Sequence, residues 1–180
     1  SYDIDECDGI EALDVTWAIW DEEFLQYYAR TMNTLAEPFM TAVFTASSHH
    51  PFRVPKRYEG VFPMGNMPIH QCVGYTDHAL REFFKHAQQQ KWYDNTLFVL
   101  TADHTNQVCL PEYATAKGLY EVPIAFYSSR WNRGELRDKE AVSQTDIMPS
   151  VLAYLGYNKP YFAFGEDALT KAKKHPYAIC

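Results

Sequence analysis

The sequence lacks long apolar runs and is poor in positive charge. None of its hydrophobic stretches approaches the ~20 residues that a helix needs to cross a bilayer, and its first residues do not join a basic region to an apolar one. Its 16 lysines and arginines are outnumbered by 23 aspartates and glutamates, which gives a formal net charge of −7. They form no basic stripe of the kind that nucleic-acid binding requires, so we predict no nucleic-acid partner.

Cysteine is also sparse. The four cysteines lie far apart, without a CxxC pair or a Cys/His spacing typical of zinc sites: Cys7, Cys72, Cys109 and Cys180. A metal site built on cysteine is therefore not expected. One or two disulfides and four buried free thiols are both compatible with this spacing.

Apolar residues, in contrast, are plentiful. The chain has 180 residues, of which 47% are hydrophobic and 16% aromatic, and it contains no internal repeat or low-complexity segment. This composition can bury a sizeable core, and it predicts one domain or most of one rather than a disordered chain.

Three segments have the apolar spacing of amphipathic helices. The first begins at the acidic residues Asp21 to Glu23, has apolar positions at Trp20, Phe24, Tyr28, Thr31 and Leu35, and ends before Pro38. The second covers residues 69–90, with Ile69, Cys72, Val73, Thr76, Leu80, Phe83, Phe84 and Ala87 on one face. The third covers residues 145–155, with Pro149 in its first turn and Gly156 at its end.

Short apolar runs predict buried strands at residues 39–46, 96–102 and 122–128. The first two enclose the long helix, so they form a βαβ unit whose strands should be parallel and joined by a right-handed crossover. We therefore predict an α/β fold with a mostly parallel sheet flanked by helices. Parallel strands end at one edge, so the polar clusters after them, Ser47 to His50 and Asp103-His104, should face one crevice.

Asp103 and His104 offer a carboxylate oxygen and an imidazole nitrogen directly after a buried strand. Such a pair can bind a divalent metal, although two ligands are too few for a closed site. A DH dipeptide alone is a weak signal. The alternative is a capping aspartate beside an ordinary surface histidine.

The histidine pair His49-His50 follows the first predicted strand and precedes Pro51. An imidazole there can donate to an anionic substrate oxygen or serve as a proton donor, whereas the simpler interpretation is a loop histidine bonded to backbone. His70, His78 and His86 lie on the polar side of the long helix, where we expect them to be solvated.

Five segments, in order along nearly the whole chain, resemble motifs of lipoteichoic-acid-synthase-like phosphoglycerol transferases, within the sulfatase/alkaline-phosphatase superfamily. SSHHPF, beginning at Ser47, is similar to their S-N/S-H-x-P-F/Y segment, and YDNT with FVLTADH, beginning at Tyr93, is similar to their YDNT-strand-DH segment. WAIWD from Trp17 resembles a W-G-x-x-D element. SQTDIMPS from Ser143 and FGED from Phe164 resemble S-Q-x-D-I-M-P-T/S and F-G-x-D.

The resemblance implies an alkaline-phosphatase-like fold in which residues 1–180 are the C-terminal part of the catalytic domain. By the same resemblance, Asp103 and His104 bind the catalytic divalent metal, Mn or Mg before Zn or Ca. His49 contacts the substrate phosphate. The family's nucleophilic threonine and a further acidic ligand lie on an earlier segment without a counterpart here, so Thr16, Thr31 and Thr45 are not assigned that role. The final HPYAIC also suggests a chain that continues.

The implied function is therefore part of a metal-dependent, extracytoplasmic phosphoglycerol-type transferase or phosphodiester or sulfate-ester hydrolase. Its substrate would be an anionic ester, including a lipid-linked one, and the full-length protein would be membrane-anchored. The mechanism passes through a covalent phospho-threonine, so we expect the isolated chain to be inactive. Alternatives are an arylsulfatase, a phosphoethanolamine transferase and a non-catalytic fragment of the fold. Sulfatases usually have Gly and acidic residues where this chain has Thr105, Asn106 and Gln107, which disfavours sulfate esters.

Overall fold

A computed structural model describes residues 18–105, 107–131 and 141–169. By contact density the chain divides into two units, Ser1–Thr96 and Leu97–Cys180, and each is described separately. The assignment of residues 1–180 to a C-terminal part of a catalytic domain stays a prediction.

Two helices form the core of the first unit, α1 (Asp21–Met32) and α2 (Ile69–Ala87). They pack against each other, and Ala29, Ala79 and Ala87 are fully buried. Because alanine side chains are small, the two backbones can approach closely at these positions. Larger buried side chains fill the remaining interior: Trp20, Leu25, Met32, Phe52, Tyr75, Phe83, Trp92 and Tyr93.

Both helices were predicted, but each turns a somewhat different face to the core. In α1 the most buried positions are Asp21, Leu25, Ala29 and Met32, one step from the predicted stripe. In α2, Tyr75 and Ala79 are buried, whereas Val73 is 55% exposed. Apolar residues on two adjacent stripes satisfy the same helical spacing, so only the partner helix decides which stripe is covered.

The segment between these helices corrects one prediction. Residues 39–46 are not a β-strand, although their exposure alternates as in a strand, with Met40 at 91% and Phe44 at 67%. A strand exists as secondary structure only when a second strand pairs with it. Among the described residues nothing pairs with this segment, and a 3₁₀ turn at Lys56–Tyr58 follows.

The second unit contains a two-stranded sheet of β1 (Phe98–Thr101) and β2 (Ile124–Tyr127). Both strands were predicted at nearly these positions. They are antiparallel, with Phe98 opposite Tyr127 and Thr101 opposite Ile124. The predicted parallel pairing of residues 39–46 with residues 96–102 therefore lacks its first strand, and the two-stranded sheet is too small to confirm a mostly parallel one.

Two helices complete the described part of this unit, α3 (Ala116–Leu119) and α4 (Ile147–Tyr154). The predicted third helix corresponds to α4, preceded by a 3₁₀ turn at Gln144–Asp146. Pro149 is buried in its first turn, and Gly156 after its end has φ 69°. Both match the roles predicted for them, since proline fits a first turn and glycine tolerates positive φ.

Candidate functional site

His49 lies in a tight turn after the non-strand segment of the first unit. Its backbone N–H donates to the Ala46 carbonyl over 3.0 Å, and its own carbonyl accepts from Phe52 N–H over 3.1 Å. The ring Nδ1 lies 2.9 Å from the His50 carbonyl oxygen. Since a carbonyl only accepts, Nδ1 carries the proton of this contact, and Nε2 is the ring nitrogen that lies outside it. The imidazole donates from Nε2 only when it is positively charged.

The turn is fixed from one side by Asp21, the first residue of α1. One carboxylate oxygen of Asp21, Oδ1, accepts from the N–H groups of Ala46 and Ser47 over 3.2 and 3.0 Å. The other, Oδ2, accepts from the Thr76 hydroxyl over 2.9 Å. In return, Asp21 N–H donates to Ser47 Oγ over 3.0 Å. Asp21 and Ser47 thus hold each other from both the backbone and the side chain.

Helix α2 fixes the following residues. Gln71 donates to the Phe52 carbonyl over 3.2 Å, and the Cys72 thiol lies 3.5 Å from the Arg53 carbonyl. Burial, followed by the negative charge of Asp21, raises the pKa of the Cys72 thiol to about 11. This thiol therefore stays neutral at physiological pH and belongs to the packing of the turn rather than to nucleophilic chemistry.

Asp103 and His104 follow β1 in the second unit and are both exposed, at 59% and 53% of their side-chain surfaces. Asp103 Oδ1 accepts from the His104 backbone N–H over 2.8 Å, a local contact between neighbouring residues. The second oxygen, Oδ2, lies 3.6 Å from His104 Nε2. One oxygen is thus used by the backbone, and the other is oriented toward the imidazole.

This geometry fits two ligands of one divalent ion. Metal-bound oxygen and nitrogen atoms lie about 2.0–2.2 Å from the ion, so two neighbouring ligands are roughly 3.0–3.6 Å apart. The distance from Oδ2 to Nε2 is 3.6 Å. Within the described ranges no group of three or more His, Cys, Asp or Glu side chains could hold a metal. Asp103 and His104 therefore fit as part of a metal site rather than as a complete one.

Gln144 holds the backbone of the same segment. Its side-chain amide donates to the Ala102 carbonyl over 2.6 Å and to the Asp103 carbonyl over 3.2 Å. Thr105 donates its backbone N–H to the Leu119 carbonyl over 2.8 Å and its hydroxyl to the Gln107 carbonyl over 3.1 Å. The segment is thereby attached both to the turn before α4 and to α3.

The turn that carries Gln144 has its own support. Ser143 and Asp146 form a capping box, in which Asp146 Oδ2 accepts from Ser143 N–H over 2.7 Å. The other oxygen of Asp146 accepts from Glu166 N–H over 2.8 Å. A Cβ on Gly165 would lie 2.3 Å from the Thr145 carbonyl oxygen, so only glycine fits there. The SQTD and FGED motifs therefore pack as one structure behind Asp103.

The structure gives roles to two residues that sequence reasoning did not assign. Asp21 and Gln144 each belong to a motif quoted above, and the motif was the available signal. Two of the helix histidines are less solvated than predicted, because His78 Nε2 lies 2.9 Å from the Tyr58 hydroxyl oxygen and His86 Nδ1 lies 2.7 Å from Gln26 Oε1. That His49 and Asp103-His104 share one crevice stays a prediction.

Two cysteines and part of one motif lie outside the described residues. Cys7, Cys180, Thr16, Trp17, Asn106 and the final HPYAIC belong to this group. Of the cysteines that are described, Cys72 is buried and Cys109 exposed, and both are free thiols. The described helices include none that combines the length and the apolar character needed to cross a membrane.

Comparison with known proteins gives consistent matches over most of the chain. The family model described as Sulfatase matches residues 2–157. The chain is 24% identical to a lipoteichoic acid synthase-like protein, YvgJ, of Bacillus subtilis, and 99% of this chain and 32% of that protein are aligned. It is 27% identical to lipoteichoic acid synthase 2 of Bacillus subtilis, covering 84% of this chain and 26% of the relative.

A third relative gives the same result. Lipoteichoic acid synthase of Staphylococcus saprophyticus is 27% identical over 94% of this chain and 28% of its own length. The chain thus spans about a third or less of the length of the relatives that it matches.

Proposed function

Because the chain belongs to the sulfatase family, we propose that it is the C-terminal part of the catalytic domain of an extracytoplasmic, metal-dependent transferase acting on phosphate esters. Family membership implies an alkaline-phosphatase-like α/β fold, and we extend this to a mostly parallel sheet. The similarity to proteins named lipoteichoic acid synthase favours phosphoglycerol-type transfer over sulfate-ester hydrolysis.

The observation that carries the proposal is the arrangement of Asp103 and His104 at the end of β1. Their ligand atoms are 3.6 Å apart, and both side chains are exposed. Gln144 donates to the backbone carbonyls of Ala102 and Asp103, so the main chain that carries the pair is held in place. In the proposal these two residues hold Mn or Mg, and a carboxylate with an imidazole is also acceptable to Zn. When bound, the ion would supply Lewis-acid polarisation of a phosphoryl oxygen.

His49 supplies the second part of the proposed chemistry. Its Nδ1 proton is committed to the His50 carbonyl, so the charged ring donates from Nε2 to an anionic oxygen. We assign this donation to a phosphate oxygen of the substrate. It binds and orients the anion, and the same Nε2 proton is available to a leaving group.

The nucleophile and the remaining metal ligands are not assigned to residues of this chain. In the proposal they belong to another part of a longer protein, as the greater length of the relatives supports. We also propose a membrane anchor, a location outside the cytoplasm and a lipid-linked phosphate-ester substrate for that longer protein. No separate observation favours the arylsulfatase, phosphoethanolamine transferase or non-catalytic alternatives.

Calorimetric titration of the 180-residue chain tests the two assigned roles. MnCl₂ and inorganic phosphate are titrated separately into wild type, Asp103→Ala and His49→Ala. We expect weak Mn binding that falls by roughly tenfold or more in Asp103→Ala and is unchanged in His49→Ala. We expect the reverse order for phosphate.

Two other residues of α2 provide matched controls. Asp77 has a salt bridge to Arg81, and His70 accepts from Asn66 N–H, so Asp77→Ala and His70→Ala each remove the same side-chain type elsewhere. Neither should alter Mn or phosphate binding. Equal loss of Mn affinity in Asp103→Ala and His49→Ala would refute the separation of metal and anion roles.

A further inference from the structure

We propose that Asp21 is the positioning residue for His49, and that its buried carboxylate holds the turn that presents this imidazole to a phosphate group. The claim that His49 contacts a phosphate group rests on the proposed function. The claim that Asp21 restrains the turn rests only on the hydrogen bonds of Asp21.

The burial of Asp21 is unusual for a carboxylate at the start of a helix. An aspartate is almost never fully buried unless its oxygens are paired, and Asp21 has 0% exposure. A buried carboxylate is unfavourable unless its oxygens are hydrogen-bonded. Both oxygens are bonded here, to Ala46 N–H, Ser47 N–H and the Thr76 hydroxyl. The carboxylate is therefore committed to joining α1, α2 and the His49 turn.

The contact is reciprocal across 26 positions of the sequence. Ser47 Oγ accepts from Asp21 N–H, which has no intrahelical partner as the first residue of α1. Ser47 is 4% exposed and so shares the interior with Asp21. Removing either side chain would leave the buried backbone N–H of the other residue without its hydrogen-bond acceptor.

Ala46 transmits this restraint to His49. Its N–H is held by Asp21, and its carbonyl accepts the His49 N–H over 3.0 Å. The ring is then oriented by the 2.9 Å contact from Nδ1 to the His50 carbonyl. Without the carboxylate, the turn should sample other conformations and the ring should lose its single tautomer. Asp21 would thus act on the anion through His49 without touching it.

The test uses the full 180-residue chain and two readouts. Nitrogen-resolved NMR of the His49 ring reports the tautomer, and titration with inorganic phosphate reports affinity. In Asp21→Ala we expect a mixture of tautomers and phosphate binding weaker by about tenfold, the size of effect seen when a supporting group is lost. Asp21→Asn should restore both toward wild type, because its amide oxygen can still accept from Ala46 and Ser47.

A matched variant separates positioning from general stability. Phe83 lies on α2, away from the turn, and is 5% exposed, so Phe83→Leu should lower the melting temperature yet leave the tautomer and the phosphate affinity unchanged. If Phe83→Leu changed both as Asp21→Ala does, the effect would be general destabilisation and the inference would be overturned. A folded Asp21→Ala protein with the wild-type tautomer would also overturn it.

Thr76→Val and His49→Ala complete the test. If Asp21→Ala does not fold, Thr76→Val removes only the Oδ2 contact and should shift the tautomer in the same direction by a smaller amount; an unchanged tautomer there would contradict the inference. If His49→Ala leaves phosphate binding intact, the anion role in the proposed function fails, whereas the tautomer measurement still decides the role of Asp21.

Discussion

At the scale of single residues, burial separates side chains that look alike in the sequence. Asp21 and Asp103 are both aspartates, but the first is buried with both oxygens hydrogen-bonded, whereas the second is exposed and keeps one oxygen directed at His104. A buried carboxylate that accepts from three donors is held in one conformation, whereas an exposed carboxylate is accessible to a ligand. Exposure therefore separates the aspartate that is committed to the fold from the one that is accessible to a ligand.

Cys72 and Cys109 test whether burial also separates two cysteines in reactivity. Cys72 has 0% exposure and a pKa raised to about 11, so at pH 8 about one part in a thousand is thiolate. Cys109 is exposed. In native protein we expect iodoacetamide to modify Cys109 at least about a hundredfold faster than Cys72, as measured by peptide mass spectrometry. The rates should converge in urea, and equal rates in native protein would contradict the described burial.

At the scale of elements, the motifs act by joining the end of one element to the start of another. Ser47 caps α1 from a distant turn, and Gln144 before α4 holds the backbone that follows β1. Asp146 then joins α4 to residue Glu166. Each motif thus satisfies backbone groups that a helix or strand cannot satisfy at its own end.

The prediction at the scale of elements concerns the effect of Gly165 on stability. Its Cβ would meet the Thr145 backbone at 2.3 Å, so Gly165→Ala must displace the turn that carries Gln144. We expect a loss of about 1–3 kcal/mol in the free energy of unfolding, measured by urea denaturation. Gly156→Ala is the matched control, since it has φ 69° but no atom within 4 Å. It should cost about 1 kcal/mol through backbone strain alone, and a larger loss for Gly156→Ala than for Gly165→Ala would contradict the prediction.

At the scale of the whole molecule, the candidate chemistry is divided between the two units. The His49 turn lies in Ser1–Thr96, and Asp103-His104 lies in Leu97–Cys180. Each is fixed by contacts inside its own unit, through Asp21 in the first and Gln144 in the second. The restraints on His49 and on Asp103-His104, the residues to which we assign anion contact and metal binding, therefore come from different side chains.

We predict that the 180-residue chain does not turn over bis(p-nitrophenyl) phosphate in the presence of Mn. The reason is that the proposed mechanism needs a nucleophile, which we assign to another part of a longer protein, while Asp103 and His104 would supply only two metal ligands. Release of nitrophenolate should match that of a heat-denatured control. Turnover that is abolished by both a chelator and Asp103→Ala would show that a nucleophile lies within the chain.

The sequence by itself determined the features that depend on local spacing. It located α1, α2, β1, β2 and α4, and the roles of Pro149 and Gly156, because helical and strand periodicity and end signals are properties of neighbouring residues. It also identified the histidine and aspartate motifs. For His49, Asp103 and His104 it indicated the residue types that can perform the chemistry.

Only the tertiary structure decided the features that join distant positions. The buried stripe of α1, the antiparallel pairing of β1 with β2, and the absence of a strand at residues 39–46 all depend on which partner is adjacent. The Asp21–Ser47 contact spans 26 positions and the Gln144–Asp103 contact spans 41. Periodicity carries no information about such pairs, because the path of the chain, not the spacing of its residues, brings their hydrogen-bonding groups together.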